Sequence, residues 1–406
     1  MQSMRILIVS QYYQPEPFRI GDLARWLAER GHEVSVLTGR PNYPAGRLYP
    51  DYGPIRPVRE VIDGVPVHRV PLVPRGNGGA LALAVNYLSF AVSGCCLGPL
   101  LLRGRFDAVL CYLVSPITAA FPGIMLGRLK RAALALWVQD LWPESVASAG
   151  KVDSPTLMRC LDRMVGFIYR RADAIWIPSQ AFAPAVLRYG IAPSRLAHIP
   201  NTTEAFYQAD DPPPPGRAGK LSILYAGNFG EAQGFETVLD AVERTPESSG
   251  VEWVFVGDGR RRAWLAAEIE RRGLRQARLL DRVLPERMPA LIGAADALLV
   301  PLRRAPVFAL TIPSKLQSAL ASARPVLAVL EGEGARLVEV SGAGIVAPPG
   351  DATALAQAAL RLAAMTPQER RRMGKAGRQY HDRHFARDLV YASIERHLGS
   401  IARQAR

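Results

Sequence analysis

Short apolar runs alternate along this chain with segments of helical spacing, and that alternation restricts the fold to parallel sheet covered by helices. The first run, Met4–Ser10, reads as a buried strand. Gly21–Arg30 follows with Leu23, Trp26 and Leu27 on one helical face. Gly31-His32-Glu33 then turns the chain into a second strand, Val34–Thr38. Val65–Val73, Asp107–Tyr112, Ala133–Val138 and Ala174–Pro178 continue the series. The pattern restarts with a strand at Leu221–Ala226, a loop over Gly227–Gly234 and a helix over Phe235–Arg244. Val251–Val256, Ala297–Pro301 and Val326–Val329 are its further strands.

A chain of 406 residues is too long for one ordinary core. Its 49% hydrophobic content excludes disorder as the main state. The proline-rich stretch DDPPPPGRAGK, Asp210–Lys220, is the best linker. The expected organisation is α/β: two Rossmann-like, doubly wound parallel-sheet domains facing a central cleft, at residues 1–206 and 219–386. Residues 387–406 form a C-terminal helix, expected to pack back on the first domain.

The net charge is +14, with a pI near 10. Nucleic acid, an anionic membrane face or phosphorylated substrates would each suit it, as would a genome that prefers arginine codons. No RNP motif, zinc spacing or basic region with interleaved aromatics is present, so no specific nucleic-acid partner is expected. Cys95, Cys96, Cys111 and Cys160 form no C-x-x-C, which suits a reducing cytosol. The apolar run at the N-terminus is too short for a signal peptide and reads as a strand.

Ala80–Leu102 carries no charge at all and is long enough to span a bilayer. It lies between two expected strands of one sheet, so it reads as a crossover helix. Arg75 precedes it, and Arg103, Arg105, Arg128, Lys130 and Arg131 follow. Apolar surface beside cations is the composition of a helix that rests on an anionic membrane face. Plain burial in the core is the alternative.

Three loops of the second half carry the chemistry. Gly227, Gly230 and Gly234 precede a helix, where free N–H groups and the helix dipole can hold a diphosphate. Gly257-Asp258-Gly259 ends a strand, the place where doubly wound sheets bind ligands. Thr311-Ile312-Pro313-Ser314-Lys315-Leu316 opens another helix, with Ser314 as its cap and Lys315 as a phosphate partner. Together the loops point to a nucleotide diphosphate.

Several longer segments carry a resemblance. They are QYYQPE (Gln11–Glu16), RGHEVSVLTGRPNYPAG (Arg30–Gly46), VQDLWPES (Val138–Ser145), IPN (Ile199–Asn201), YAGNFGEAQG (Tyr225–Gly234), VGDG (Val256–Gly259) and TIPSKL (Thr311–Leu316). Through them the chain resembles glycosyltransferase family 4, in its WbuB-like branch, up to about residue 385. The resemblance implies the GT-B fold and a retaining transferase with no metal or other cofactor. It implies a UDP-sugar donor, often an N-acetylated deoxyhexosamine, and a polyprenyl-diphosphate-linked saccharide acceptor. Surface polysaccharide assembly (O-antigen, capsule or exopolysaccharide) on the cytoplasmic face of the membrane is the implied setting.

Three departures from the family pattern follow. The Arg and Lys that usually grip the diphosphate are replaced by Asn228 and Gln233, which leaves Lys315, Arg282 and Arg303 as its cationic partners. The usual glutamate pair is replaced by Leu310 and Ser318. Ser318 remains able to bond the ribose, and Glu331 or Glu333 can substitute for the lost acid. Gln139 stands where many relatives have His, before Asp140.

The resemblance leaves no need for a protein nucleophile, so the expected work is positioning and charge stabilisation. Lys315, Asp140 and Glu16 are the expected catalytic residues. Gly227, Asn228, Gln233, Gly257, Asp258, Arg282, Thr311, Ser314, Ser318 and Glu333 are expected around the donor. Glu16, Arg19, Asn42, Tyr43, Arg47, Gln139 and Asp140 are expected around the acceptor. For Asp140 the competing reading is a helix cap, and for Glu16 and Arg19 an exposed loop. The rival functions are a UDP-sugar 2-epimerase on the same fold and a noncatalytic partner in an assembly complex.

Overall fold

The computed structural model describes residues 3–53, 55–148, 154–203, 220–284 and 287–404. The linker assigned to Asp210–Lys220 lies almost entirely outside them. Two compact units result: Met1–Ile199 with Tyr391–Arg406, and Pro200–Val390.

In the first unit the strands are β1 (Arg5–Val9), β2 (Glu33–Gly39), β3 (Val58–Ile62), β4 (Val65–Val70), β5 (Ala108–Leu113), β6 (Ala133–Val138), β7 (Ala174–Ile177) and β8 (Leu196–His198). Their order is β3-β4-β2-β1-β5-β6-β7-β8, parallel apart from β3. The strand β3 was not expected. It is joined to β4 by Asp63-Gly64, both at positive φ (50° and 78°), as a two-residue hairpin turn requires. Strands β5, β6 and β7 are buried along their whole length, which explains their unbroken apolar runs.

The second unit contains β9 (Leu221–Asn228), β10 (Val251–Asp258), β11 (Ala277–Leu280), β12 (Ala297–Pro301), β13 (Val326–Val329) and β14 (Gly344–Ala347). All its pairings are parallel, in the order β11-β10-β9-β12-β13-β14. The winding reverses between β9 and β12, and in the first unit between β1 and β5. A ligand crevice opens beyond the strand C-termini at such a reversal.

The uncharged stretch forms one helix, Ala80–Leu101, connecting β4 to β5. Both its ends feed one sheet, so it is a crossover helix. It packs by a narrow face of Asn86, Phe90, Gly94 and Gly98. A Cβ on Gly94 would come within 2.7 Å of Pro122, and one on Gly98 within 3.2 Å of Leu126. These two glycines let the helix lie close against the helix Ala120–Lys130. The opposite face stays open: Leu81 is 78% exposed, Leu88 55%, Val92 61% and Leu100 68%. Simple core burial therefore does not describe this helix.

The terminal helix, Arg387–Gln404, supplies Tyr391 and Glu395 to the first unit. Tyr391 meets the Trp26 ring at 5.7 Å and donates to Asp22. The buried Glu395 accepts from Arg30 and lies 2.9 Å from His32 Nε2.

Candidate functional site

The second unit gathers two glycines, Gly227 and Gly257, and one lysine at the C-terminal ends of β9 and β10. Strand β9 runs two residues beyond its expected end, so Gly227 and Asn228 are strand rather than loop. Gly257 pairs with Gly227 in register, and a Cβ on Gly257 would lie 1.8 Å from the Gly227 carbonyl oxygen. Both residues have φ +146°, a region open mainly to glycine. A Cβ on Gly227 would lie 2.3 Å from Lys315 Cε. The absent side chain thus leaves the channel through which Lys315 reaches the strand end.

Lys315 sits in the first turn of the helix Ser314–Ala321, half-buried, with its ammonium 5.4 Å from the centre of the Tyr225 ring. No carboxylate among the described residues pairs with it. Burial pushes its pKa down to about 8. It is therefore not an ordinary solvated first-turn lysine. The cap expectation for Ser314 is corrected: Pro313 occupies the cap position, and no side chain caps the helix. Proline fixes the chain for entry into the helix one residue earlier than a serine cap would. Thr311 spends its hydroxyl on the Val307 carbonyl at 2.8 Å.

The loop after β12 closes on the loop after β9. Arg303 N–H donates to the Ala232 carbonyl at 2.8 Å, and its guanidinium lies over Phe308. Arg282 is exposed on the loop after β11, two strands from β9. Asp258 accepts from the Gly259 N–H. Two arginines went unread in the sequence. Arg262 donates to the Gly257 and Leu280 carbonyls, both at 3.1 Å, and Arg261 stacks on Trp264 while pairing with Glu231 and Glu236. Their signal was a run of arginines directly after Gly-x-Gly.

The first unit builds a different kind of site at the ends of β1, β2, β5 and β6. Glu16 is fully buried, which corrects the exposed-loop reading of that residue. Its carboxylate accepts from the N–H groups of Asn42 (2.9 Å), Tyr43 (2.8 Å) and Tyr13 (3.3 Å). Burial nevertheless raises its pKa to about 7, against the pull of those bonds. Asn42 is buried as well. Its amide donates to the Arg40 carbonyl, and its Oδ1 accepts from the Arg75 N–H and from Asn86. These contacts bind Glu16 and Asn42 to the backbone of the site. Tyr43 packs with Tyr12 and Phe18, and the Arg75 guanidinium covers it at 5.0 Å. Arg19 stands at the start of the helix Ile20–Glu29, and Arg47 is exposed.

Asp140 follows β6. It accepts from the Ser145 hydroxyl, with Ser115 and Trp142 also bonding its side chain. No backbone N–H of the helix Glu144–Ser148 is capped by it, so the helix-cap reading is corrected. Burial raises its pKa to about 6. Trp142 Nε1 donates to Ser115 Oγ at 3.1 Å, and Tyr87 meets the Trp142 ring at 6.2 Å. Ser115 has φ +127°, and side chains held in such rare conformations cluster at functional loops. Gln139, the preceding residue, continues the strand pairing by donating its N–H to the Leu113 carbonyl.

Comparison with known proteins bears on both units. Residues 18–202 match a glycosyl transferase 4-like domain, and residues 220–365 match glycosyl transferases group 1. The putative colanic acid biosynthesis glycosyl transferase WcaI of Escherichia coli K12 is 29% identical over 335 residues, 78% of this chain and 81% of that protein. The probable glycosyltransferase WbjE of Pseudomonas aeruginosa is 28% identical over 236 residues, 55% of this chain and 58% of that protein. This chain belongs to glycosyltransferase family 4.

Solved GT-B structures share the transferase's fold. Sucrose-phosphate synthase from Thermosynechococcus elongatus superposes with a TM-score of 0.69 at 19% identity, covering 99% of both chains. Anabaena HepE, in complex with UDP and glucose, gives 0.68 at 17% identity, covering 98% of this chain and 100% of its own.

In this transferase the positions that depart from the family pattern have other tasks. Gln233 Oε1 accepts from the Gly230 N–H at 3.0 Å and so shapes its own loop. The Asn228 carbonyl accepts from the Tyr225 hydroxyl. The Ser318 hydroxyl donates back to the Ser314 carbonyl at 3.2 Å. Glu333 pairs with Arg336 in its own helix, and Glu331 lies 3.8 Å from Arg304.

Proposed function

We propose that the chain transfers a sugar, with retention and without a metal, from a UDP-sugar to a polyprenyl-diphosphate-linked saccharide. An N-acetylated deoxyhexosamine is the proposed sugar, and surface polysaccharide assembly at the cytoplasmic membrane face is the proposed setting. The likeness to WcaI, a putative colanic acid biosynthesis transferase, and to HepE, whose crystal structure holds UDP, supports this reading. The observation that carries it is Lys315: an unpaired, half-buried ammonium beside a glycine strand end and an uncapped helix start. A burial cost of this kind is recovered when an anion arrives.

In the proposed reaction the bond from the sugar C1 to the diphosphate oxygen breaks. The acceptor oxygen bonds to C1 from the same face, and the acceptor proton passes to the leaving diphosphate. Lys315 and the free N–H groups of its helix stabilise the charge that develops on that diphosphate. Asp140 orients the incoming hydroxyl. Glu16, committed to three backbone N–H groups, acts as a positioning residue for the Tyr43 loop. The membrane setting rests on the open face of the helix Ala80–Leu101, mostly outside the core and flanked by Arg103 and Arg105.

The test is a thermal-shift panel of UDP-, GDP- and dTDP-sugars, followed by UDP release in the presence of a membrane extract. Stabilisation by a UDP-sugar and acceptor-dependent UDP release are expected. A preference for GDP-sugars sinks the donor assignment. A folded protein that releases UDP from no donor favours the noncatalytic reading.

A further inference from the structure

Arg75 is a cation of the first unit with no acidic partner among the described residues. Its backbone N–H is fixed by Asn42 Oδ1 at 3.2 Å, and its guanidinium is spread over the Tyr43 ring. No ion pair to it occurs among the described residues. The two acids of this site are committed elsewhere: Glu16 to backbone N–H groups, Asp140 to hydroxyls. Tyr12 packs against the same Tyr43 ring, its ring centre 5.9 Å away. Tyr12 is 3% exposed, and its hydroxyl has no hydrogen-bond partner. Burial raises its pKa, so that hydroxyl keeps its proton. A cation and a buried O–H donor, both without an acceptor among the described residues and both beside one aromatic ring, form a site short of acceptors. An anion supplies them.

The position of this site says which anion. The segment from Val73 runs back along the first half of the helix Ala80–Leu101. Val73 N–H donates to Ser89 Oγ, and Asn86 Nδ2 donates to the Val73 carbonyl. Arg75 therefore lies beside the first half of that helix, whose outward residues Leu81, Val85 and Leu88 are apolar and exposed. A phosphate at Arg75 would have a hydrocarbon-compatible surface next to it. A free sugar phosphate has no use for such a surface, whereas a lipid-linked one does.

We infer that Arg75, with the Tyr12 hydroxyl, binds the diphosphate of the lipid-linked acceptor while its prenyl chain lies against the outward face of the helix Ala80–Leu101. This rests on the lipid-linked acceptor proposed above and assigns the residues that recognise its headgroup. Arg75 is then a specificity residue, one that separates lipid diphosphates from neutral lipids.

Flotation with phosphatidylcholine vesicles tests it, using vesicles doped with polyprenyl diphosphate, with polyprenol or with phosphatidylglycerol. The wild-type chain should prefer polyprenyl diphosphate over polyprenol. Arg75→Gln should lose that preference, weakening by about tenfold as expected for a charged hydrogen bond, while phosphatidylglycerol binding is kept. Tyr12→Phe, which removes only the unpartnered hydroxyl, should weaken the same preference by a smaller factor and serves if Arg75→Gln melts early. Arg75→Gln binding polyprenyl diphosphate like the wild type overturns the inference alone. Equal losses on phosphatidylglycerol also overturn it, because Arg75 is then a general membrane cation. A wild-type chain that does not separate the diphosphate from the alcohol overturns the lipid-linked acceptor as well.

Discussion

The Lys315 ammonium lies 5.4 Å from the centre of the Tyr225 ring, with no described carboxylate to neutralise it. A cation–π contact recovers only part of the desolvation cost. The depressed pKa, about 8, measures what remains. Lys315→Met should therefore stabilise the ligand-free protein, by roughly 1–3 kcal/mol, while weakening UDP-sugar binding at least about tenfold. The stability gain should shrink as pH rises through 8, because the wild-type lysine then loses the charge that was costly. Calorimetric melting with donor titration checks both halves. A variant with unchanged donor affinity removes Lys315 from the site.

Activity should have two limbs in pH. Asp140 must be ionised to accept an orienting hydrogen bond from the acceptor hydroxyl, and its pKa is raised to about 6. Lys315 must be protonated to hold the diphosphate. The rate should fall below pH 6 and again above pH 8, with Glu16, near 7, acting on stability rather than on the reacting atoms. Asp140→Asn should erase the acid limb and lower kcat by about two to four orders of magnitude. Initial rates of UDP release between pH 5 and 9 give the answer. An acid limb that persists in Asp140→Asn assigns it to another group.

Gly257 and Gly227 should differ on substitution although they pair in register with the same φ. A Cβ at 257 strikes a backbone oxygen at 1.8 Å, which cannot move without breaking the strand pair. A Cβ at 227 strikes the end of the Lys315 side chain, which can swing away. Gly257→Ala should cost more than about 3 kcal/mol. Gly227→Ala should cost less and show its damage in donor affinity, because Lys315 is displaced. Urea unfolding of both variants, with donor binding for the second, separates the two effects.

The readability of this chain followed its local signals. Strands β6, β12 and β13 were legible at their observed limits, because a buried parallel strand is a bounded apolar run. Lys315 was legible because loop, helix and cation sit together in sequence. The hairpin at Asp63-Gly64 had its turn signal in plain view. The flanking β3 reads VREVI, half-exposed and charged, and does not announce a strand. Ser314 misled because serine favours caps, while the preceding proline had already set the helix entry. The role of Glu16 was not legible at all. Two of its three partners, the N–H groups of Asn42 and Tyr43, belong to a loop that follows a different strand, and no spacing rule links them to it. Arg75 was hidden for the same reason: its meaning comes from Tyr43, which only the folded loop brings beneath it.

Glu16 should set a pH dependence of stability. Its folded pKa, about 7, lies above its ordinary value of 4.5. The contribution of the protonated acid is fully present below pH 4.5 and is lost as pH rises through 7. Glu16→Gln keeps one oxygen for the N–H groups of Asn42 and Tyr43 but cannot ionise. Between pH 5 and 8 the wild type should lose up to about 3 kcal/mol relative to this variant. Parallel melting curves across that range, with equal pH slopes, would falsify the burial argument.

The open face of the helix Ala80–Leu101 should decide membrane attachment without deciding the fold. Leu88 is 55% exposed and Val92 is 61% exposed, so charge there meets water in the free protein and strains nothing. Against a bilayer the same charge must be buried among headgroups and acyl chains, at a cost of about 2–3 kcal/mol each. The double change Leu88→Glu with Val92→Glu should leave the melting temperature within about 2 °C and abolish binding to phosphatidylglycerol vesicles. Phe90→Glu is the contrast: its ring is fully buried against the sheet, so it should unfold the first unit rather than release it. High salt should weaken wild-type attachment through Arg103 and Arg105 without eliminating the apolar part. If the double variant still floats with the vesicles, the helix is not the membrane face, and its exposed residues must be covered by protein instead.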